Sequence, residues 1–281
     1  FTLRDGLKWH DGKPVTAEDC VASLKRWGKN DGMGQKLMDF TASLTAADDK
    51  TIVLKLKEPY GLVLESLGKP SSLVPFMMPK RLAETEPGKA IAEQVGSGPF
   101  KFIQAEFQPG VKVAYEKNKD YVPRKEPASW TAGGKVVKVD RVEWLPIPDP
   151  QQAVNALLSG EVDYMEAPAH DLHPLIKADK NVYLADWNPL GNQFTLVFNT
   201  LSKPFDNPKV RQALWYALNQ EDFLKAVVGT PDYYKVCKAM FICGTPFATE
   251  AGMEDKLTSN FQKSKQLLEE AKYDGTPIVL M

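Results

Sequence analysis

Apolar residues recur at helical spacing in the first part of the chain, directly after a polar turn. The stretch "GKPVTAEDCVASLKRW" places Cys20, Leu24 and Trp27 four and three positions apart, the period of a helix with one apolar face. Thr16 stands at the N-cap and Asp19 at the third helical position, which is the pattern of a capping box. We therefore predict a helix after Thr16, with Cys20 as a buried, unreactive thiol and Asp19 in a structural role.

The residues before this helix alternate between apolar and polar positions and contain two dipeptides that favour tight turns. In "FTLRDGLKWHDG" both Asp-Gly pairs interrupt the alternation, and glycine allows the positive φ that such turns need. This pattern predicts a hairpin or a kinked pair of strands. Further along, "TIVLKL" is typical of a strand, and Pro59 ends it before the short apolar helix "YGLVLESL".

The stretch "GKPSSLVPFMMPKR" is too rich in proline for regular structure and too apolar for a simple linker. It carries the aromatic Phe76, and we interpret it as one wall of a cleft. A helix from about Lys80 to Gln94 is expected to follow. After it, "GPFKFIQAEF" and "GVKVAYEKN" predict a hairpin of two strands.

The second half of the chain alternates between strand-like and helix-like patterns. "VVKVDRVEWLPI" and "EVDYM" have strand character on either side of "DPQQAVNALLSG", where Asp149 caps a helix that Gly160 ends. A strand, a helix and a strand in this order form a βαβ unit. We therefore expect parallel pairing and an α/β architecture.

Later segments continue this alternation. "NVYLADW" and "NQFTLVFN" predict strands, whereas "DNPKVRQALWYALN" and the stretch around residues 260–272 predict helices. The final "TPIVLM" is typical of a strand with no turn after it. Because a domain rarely stops within a sheet, we expect the chain to be part of a longer protein.

Composition narrows the classes of function. The 281 residues include 35 Lys and Arg against 36 Asp and Glu, so the basic surface that nucleic-acid binding needs is not expected. The apolar runs in the sequence are far shorter than the roughly 18 residues of a membrane-spanning helix. The chain begins at Phe1 without a leader, which we interpret as a signal peptide that is removed or lies upstream.

The histidines do not form a recognisable catalytic or metal-binding pattern. His10 and Asp11 are neighbours on an extended segment, so their side chains point to opposite faces. His170 and His173 have a spacing that places them on one side of a helix, but no cysteine or second carboxylate-rich motif stands beside them. We therefore expect surface, cleft or scaffold roles for these side chains.

The cysteines of "CKAMFIC", Cys237 and Cys243, have a spacing that can close a small disulfide loop, with free thiols as the alternative. A bridge is compatible with export to an oxidising compartment. The sequence contains no nucleophile elbow, phosphate-binding loop, dinucleotide fingerprint or zinc-protease motif. We therefore predict no catalytic residue, no metal ligand and no cofactor.

Four separated stretches share the order and motifs of one family: "FTLRDGLKWHDGKPVTAEDC", "GSGPFKF", "LLSGEVDYM" and "VFNTLSKPFDNPKVRQALWYALN". Together they resemble the family 5 extracellular solute-binding proteins of bacterial ABC importers, which include peptide, dipeptide and nickel receptors. The resemblance implies an α/β, two-lobe periplasmic-binding-protein fold (type II, Venus-flytrap) with an extra small subdomain, truncated at both ends. Residues 1–94 would form that subdomain, residues 95–190 part of the core of lobe one, and residues 191–281 part of lobe two.

The resemblance also implies where ligand contacts lie. In relatives one contact segment follows the strand of the "sGevD" motif, which here reads "YMEAPAHD", and further segments match "DGMGQK", "KPSSLVPF" and "GNQFTLVFN". The opening segment that contains His10 and Asp11 has a scaffold role in such proteins. The candidate ligand residues carried over to this chain are Glu166, Ala167, Pro168, His170, Met33, Gln35, Ser71, Ser72, Asn192 and Phe194.

The resemblance implies a receptor and not an enzyme. Such a protein is periplasmic or extracellular, is anchored if an upstream lipid signal exists, and delivers a small solute, here expected to be a peptide, to an ABC permease in the inner membrane. The full-length protein is expected to be a monomer, and Glu166 either meets a ligand cation such as an α-amine or is a solvated surface acid. Alternatives are a receptor of the same fold for nickel chelates or oligosaccharides, a secreted two-domain α/β hydrolase, and a sensor domain coupled to a signalling partner.

Overall fold

Two compact units make up the chain in the computed structural model, which describes residues 1–70, 72–86 and 88–279. Unit one is Phe1–Pro146 and unit two is Ile147–Met281. The predicted boundaries of the small subdomain and the two lobes, near residues 94 and 190, concern the architecture of a longer protein and stay predictions.

Unit one contains short helices and two antiparallel sheets. Its helices are α1 (Ala17–Asn30), α2 (Gly32–Phe40), α3 (Val63–Leu67) and α4 (Lys80–Ala83). Its strands are β1 (Thr41–Ala46), β2 (Ile52–Leu56), β3 (Phe100–Phe102), β4 (Val113–Lys117) and β5 (Arg141–Trp144). β1 pairs with β2, and β3, β4 and β5 form the second sheet in that order. The predicted β2, α3 and β3–β4 hairpin are confirmed, and α2 and β1 are additions to the predicted set.

α1 begins where the sequence predicts it. The Thr16 side chain accepts the Asp19 N–H, and the Asp19 carboxylate accepts the Thr16 N–H. Cys20 is buried on the apolar face, and this burial raises the pKa of its thiol to about 11, as expected for an unreactive cysteine. The core of unit one consists of Ala17, Cys20, Val21, Leu24, Trp27, Leu37, Leu44 and Ile52.

The Asp19 carboxylate also connects distant parts of unit one. It accepts hydrogen bonds from the Trp9 indole N–H at 3.0 Å and from the Lys80 backbone N–H at 2.7 Å. Burial alone would raise the pKa of Asp19, but the hydrogen bonds from Lys80, Thr16 and Trp9 hold it below its ordinary value. One carboxylate therefore joins the opening segment, α1 and α4.

α1 and α2 approach closely because each has a glycine at the contact. A Cβ on Gly34 would lie 3.0 Å from the Gly28 Cα and 3.1 Å from the Trp27 ring. Asp31 caps α2 by accepting the Gly34 N–H at 2.9 Å. A larger residue at position 34 would therefore push the two helices apart.

The first fifteen residues form only part of the predicted hairpin or kinked strand pair. Both Asp-Gly turns are present, with their glycines at positive φ. The two turns differ in their pairing, because Thr2 forms a bridge to the distant Thr51, whereas Lys8 forms a local bridge to Pro14 across the Asp11-Gly12 turn. A partner from a distant part of the chain therefore replaces the local partner at the Asp5-Gly6 turn, while the Asp11-Gly12 turn keeps a local antiparallel bridge.

The helix predicted over residues 80–94 is wrong in its length, because α4 ends at Ala83. Pro87 and Gly88 follow soon after in the sequence. A proline lacks the N–H that a helix needs, and Gly88 has a φ of +86°, which lies outside the helical region. These two helix breakers outweigh the apolar spacing of the stretch.

The regular structure in the described part of unit two consists of helices. They are α5 (Pro150–Ser159), α6 (His173–Ala178), α7 (Pro208–Ala217), α8 (Gln220–Val227) and α9 (Phe261–Glu270). α7 packs against α9 around three buried residues, Ala213, Tyr216 and Leu267. The predicted helices after Asp149, after Asn207 and near residues 260–272 are confirmed. Across the described ranges, no helix combines the length and the apolar character that crossing a bilayer requires.

The strands predicted in unit two are not formed by its described residues. "EVDYM", "NVYLADW", "NQFTLVFN" and residues 276–279 lack ladder partners there, and the last two residues of "TPIVLM" lie outside the described ranges. The predicted βαβ unit with parallel pairing is therefore wrong, and the sheets that the structure does contain are antiparallel. A strand sequence supplies only one side of each hydrogen-bond ladder, so a strand needs a neighbour to form.

Candidate functional site

His10 holds two segments of unit one together. Its Nδ1 accepts the Gly96 N–H at 3.2 Å, and its Nε2 lies 3.1 Å from the Gly98 carbonyl oxygen. A carbonyl oxygen only accepts, so Nε2 carries the proton and both ring nitrogens have partners. Burial lowers the pKa of His10, and Asp11 forms an ion pair with Arg81 at 3.4 Å. This geometry is consistent with the scaffold role implied by the family resemblance.

Two of the candidate ligand segments of unit one lie side by side. Lys69, in the loop after α3, forms an ion pair at 2.6 Å with Asp31, the N-cap of α2, and both side chains are largely buried. The hydrogen bond from Lys69 lowers the pKa of the Asp31 carboxyl. The Trp27 indole N–H donates to the Leu73 carbonyl oxygen in the same loop. These two contacts fix the loop against the end of α1 and the start of α2.

The candidate residues on these two segments differ in exposure. Met33, in the first turn of α2, is half-buried, whereas Gln35 is exposed and its side chain donates to the Lys29 carbonyl oxygen at 3.1 Å. Ser72 is exposed and has a φ of +54°, and Ser71 lies outside the described residues. Met33 and Ser72 therefore stand on backbone that the Asp31–Lys69 pair joins.

In unit two, Glu166, Ala167, Pro168 and His170 belong to one short segment after α5. Glu166 is exposed, and its carboxylate makes no ion pair with any described residue. Ala167 has a φ of +59°, which is uncommon for a residue with a Cβ and marks a sharp turn. Pro168 and His170 are half-buried, and His170–Leu172 forms a 3-10 turn that leads into α6.

Three rings lie at the end of this segment, and we call His170, His173 and Tyr233 the ring cluster. His173 is buried, and its Nε2 lies 3.2 Å from the Pro168 carbonyl oxygen. Its ring meets those of His170 and Tyr233 edge to face, with centroids 4.9 and 4.7 Å away. Sequence reasoning missed Tyr233, because it stands far along the chain in a short 3-10 turn, Pro231–Tyr233, with no motif around it.

The protonation of His173 follows from its partners. The Pro168 carbonyl oxygen can only accept, so Nε2 carries the proton and Nδ1 keeps a lone pair. Within the described ranges the Nδ1 atoms of both His170 and His173 are buried without a hydrogen-bond partner. Protonating His173 would therefore add a charge and an unpaired N–H to a buried site. Burial lowers the pKa of His173 and outweighs the opposing hydrogen bond to Pro168.

Asn192 and Phe194 lie in a part of unit two without regular structure. The Phe194 side chain is 76% exposed, and the Asn192 side chain accepts a hydrogen bond from the Asn188 amide at 3.2 Å. Between them, the Gln193 amide donates to the Ala239 carbonyl oxygen at 3.0 Å. No hydrogen bond or ring contact among the described residues joins this pair to the segment after α5. Their role as ligand contacts stays a prediction.

Cys237 and Cys243 are joined by a disulfide with an S–S distance of 2.06 Å. The loop is held a second time by Gln220, whose side chain donates to the Cys237 carbonyl oxygen at 2.7 Å and accepts its N–H at 2.9 Å. Both sulfurs also lie near the Glu250 carboxylate, a grouping that has the proximity of a metal site. Sulfurs in a disulfide are not thiolate ligands, so the arrangement does not favour metal binding.

Comparison with known proteins identifies the family of this chain. The family model of bacterial extracellular solute-binding proteins, family 5 Middle, matches residues 1–281. The Probable peptide ABC transporter periplasmic-binding protein y4tO of Sinorhizobium fredii is 44% identical over 292 residues, covering 100% of this chain and 53% of that protein. The glutathione-binding protein GsiB of Pectobacterium atrosepticum is 32% identical, covering 79% of this chain and 41% of its own length.

The fold is also shared with solved structures. The periplasmic binding protein AgaA from A. tumefaciens R10, in complex with agropinic acid, has a TM-score of 0.71 and 25% identity, covering 97% of this chain and 52% of that one. The chain therefore has the α/β periplasmic-binding-protein fold that the sequence resemblance implies, and it spans about half the length of the relatives it matches. Since the family model matches from the first residue to the last, the chain belongs to the bacterial extracellular solute-binding proteins, family 5.

Proposed function

We propose that the full-length protein is the substrate-binding component of an ABC importer and that it captures a small peptide. The observation that carries this proposal is the 44% identity, over the whole of this chain, with a relative named for peptide ABC transport. A receptor of this kind closes on its solute, excludes water and presents the closed form to a membrane permease. It works in the periplasm or at the cell surface, held by a lipid anchor where an upstream signal supplies one.

The Glu166 carboxylate is the proposed partner of a peptide α-amine. It is exposed and forms no ion pair within the described part of the chain, and Ala167 beside it turns the backbone sharply. A carboxylate that binds an ammonium group gains strength as a closing cleft excludes water, because the effective dielectric constant falls. Pro168 and His170, on the same segment, are proposed to contact the rest of the solute.

The segments of unit one are proposed as a second set of contacts. Met33 and Ser72 stand on the two segments that the Asp31–Lys69 ion pair joins at 2.6 Å. Because that pair is largely buried, it holds both segments in place before any solute arrives, which lowers the entropic cost of binding. The proposed set is completed by Gln35, Ser71, Asn192 and Phe194.

A binding titration on the full-length protein tests this proposal. Native mass spectrometry first shows whether a solute co-purifies and is released on unfolding. Trialanine and glutathione are then titrated by calorimetry into wild type, Glu166→Gln and a matched control, Glu161→Gln, which changes another exposed glutamate nearby. We expect Glu166→Gln to weaken peptide binding roughly tenfold to a hundredfold, the effect of one charge-assisted hydrogen bond. Glu161→Gln should bind as wild type does.

The same experiment has three contrary outcomes. Equal affinities in Glu166→Gln and wild type would remove this carboxylate from recognition. Release of a sugar or a nickel chelate, with no binding of either peptide, would contradict the peptide assignment while family membership stands. Turnover of a bound peptide would favour a hydrolase, which needs a nucleophile and a base converging in one pocket.

A further inference from the structure

We propose that Tyr233 is a positioning residue for solute recognition: through the ring cluster it fixes the turn that carries Glu166. Tyr233 itself is not among the contact residues carried over from the family. The inference rests on the proposed function, because it assumes that the segment after α5 meets the solute. It adds a residue that neither the sequence patterns nor the family resemblance singled out.

The link from Tyr233 to Glu166 runs through one ring and one hydrogen bond. The Tyr233 ring meets the His173 ring edge to face, with centroids 4.7 Å apart. The His173 Nε2–H donates to the Pro168 carbonyl oxygen at 3.2 Å. Pro168 follows Ala167 and Glu166 directly in the chain, so the orientation of the imidazole sets the position of the turn.

The turn needs support from outside because its backbone is unfavourable. Ala167 has a φ of +59°, and the left-handed region is disfavoured for any residue with a Cβ. The His173 Nδ1 has no hydrogen-bond partner within the described ranges, so only one hydrogen bond orients the ring. Contact with the edge or face of a neighbouring aromatic ring is then what prevents the imidazole from turning over.

Tyr233 is itself held against α6, the helix that begins at His173. The Lys177 ammonium group lies 5.1 Å from the centre of the Tyr233 ring, a favourable cation–π distance. The neighbouring Tyr233 side chain raises the pKa of Lys177, so the ammonium group keeps its charge there. His170 contacts the same ring at 5.6 Å. The tyrosine therefore contacts both histidines that follow the turn and Lys177 of α6.

Two measurements on the full-length, solute-free protein test the positioning role. Tyr233→Leu removes the ring, Tyr233→Phe keeps it, and Tyr183→Leu is the control, since Tyr183 is 83% exposed in the same unit. In Tyr233→Leu we expect the amides of residues 166, 167, 169 and 170 to exchange hydrogen about tenfold faster, the signature of local opening. Nitrogen-15 spectra should show His173 as a single Nε2–H tautomer in wild type, Tyr233→Phe and Tyr183→Leu, and as a mixture in Tyr233→Leu.

Calorimetry with trialanine then tests whether the position of the turn affects the affinity for a peptide. We expect Tyr233→Leu to weaken trialanine binding about tenfold, because the solute must order the loosened turn, and Tyr233→Phe to restore wild-type affinity. Unchanged exchange at these amides together with an unchanged His173 tautomer would overturn the inference. Faster exchange with unchanged affinity would support the positioning role and contradict the assignment of the segment to solute contact, which is a failure of the proposed function alone.

A second variant covers the case in which Tyr233→Leu does not fold. His173→Phe keeps a ring against Tyr233 but removes the donor to the Pro168 carbonyl oxygen. We expect the same faster exchange at residues 166, 167, 169 and 170, again by about tenfold. Wild-type exchange in His173→Phe would show that the turn does not depend on this hydrogen bond, which also overturns the inference.

Discussion

Asp19 in unit one and His173 in unit two are both buried polar side chains that join distant parts of their unit. They differ in how many of their hydrogen-bonding atoms have partners. Asp19 accepts hydrogen bonds from Trp9, Thr16 and Lys80. His173 donates from one nitrogen, and its other nitrogen has no partner in the described residues. A buried polar group whose hydrogen bonds are all made stabilises a single arrangement of its partners. A buried group with an unpaired nitrogen can still bind a proton, and its orientation depends on the side chains packed against it. The first arrangement stabilises unit one at any pH at which Asp19 is charged, and the second makes the stability of unit two sensitive to the protonation of His173.

The largest effect is expected from breaking the Asp19 network. In Asp19→Ala the Trp9 indole N–H and the Lys80 backbone N–H lose their acceptor in a buried region. We expect the free energy of unfolding to fall by about 3 kcal/mol, the combined cost of unsatisfied buried donors and of losing the reciprocal half of the capping box, since Thr16 remains as the N-cap. Urea unfolding of the full-length protein measures this change. A loss below about 1 kcal/mol would mean that water satisfies these donors, and the contrast with His173 would disappear.

A change of intermediate size in the free energy of unfolding is expected when the pH is lowered. This prediction tests His173, the second of the two compared side chains. Burial lowers the pKa of His173 below its ordinary value of 6.5, so the folded protein binds fewer protons at this site than the unfolded chain does. The contribution of His173 to the free energy of unfolding is therefore fully present above pH 6.5 and is lost as the pH falls below that value.

Urea unfolding of wild type and His173→Phe at several pH values measures this dependence. The stability of wild type should fall more steeply with decreasing pH than that of the variant. His10, whose pKa burial also lowers, contributes with the same sign in both proteins, so its effect cancels in the difference. Parallel curves would show that His173 does not titrate as a buried neutral imidazole.

The smallest effect is expected at an exposed carboxylate with a single partner. Asp5 forms an ion pair with Lys50 at 2.5 Å, and both side chains are exposed. The hydrogen bond from Lys50 lowers the pKa of Asp5, but water screens such a pair and its net contribution to stability is close to zero. Asp5→Asn should leave the urea midpoint unchanged, and a clear shift would show that burial is not what separates Asp19 from other carboxylates.

Local signals explain the predictions that the structure confirms. The capping box of Thr16 and Asp19 places the start of α1, and Asp149 followed by Pro150 places the start of α5. These signals act within one helical turn, so a single sequence contains all of their parts. The burial of Cys20 followed in the same way from the apolar period of α1.

Long-range partners explain what the sequence could not provide. The strand-like segments of unit two lack neighbours in the described part of the chain, so their pattern alone does not make a ladder. Lys69 meets Asp31, and Tyr233 meets His173, across stretches of chain with no shared motif. Whether a lysine or a tyrosine anchors a distant segment depends on the tertiary structure, and no local pattern reports it.

The two hydrogen bonds between the Gln220 side chain and the Cys237 backbone have a practical consequence for labelling. Because the amide holds both the N–H and the carbonyl oxygen of Cys237, the loop keeps a second attachment when its disulfide is reduced. Cys20, the remaining cysteine, is buried with a thiol pKa of about 11 and so is nearly all protonated at neutral pH. Mild reduction therefore exposes two native thiols to alkylation while the third stays unreactive.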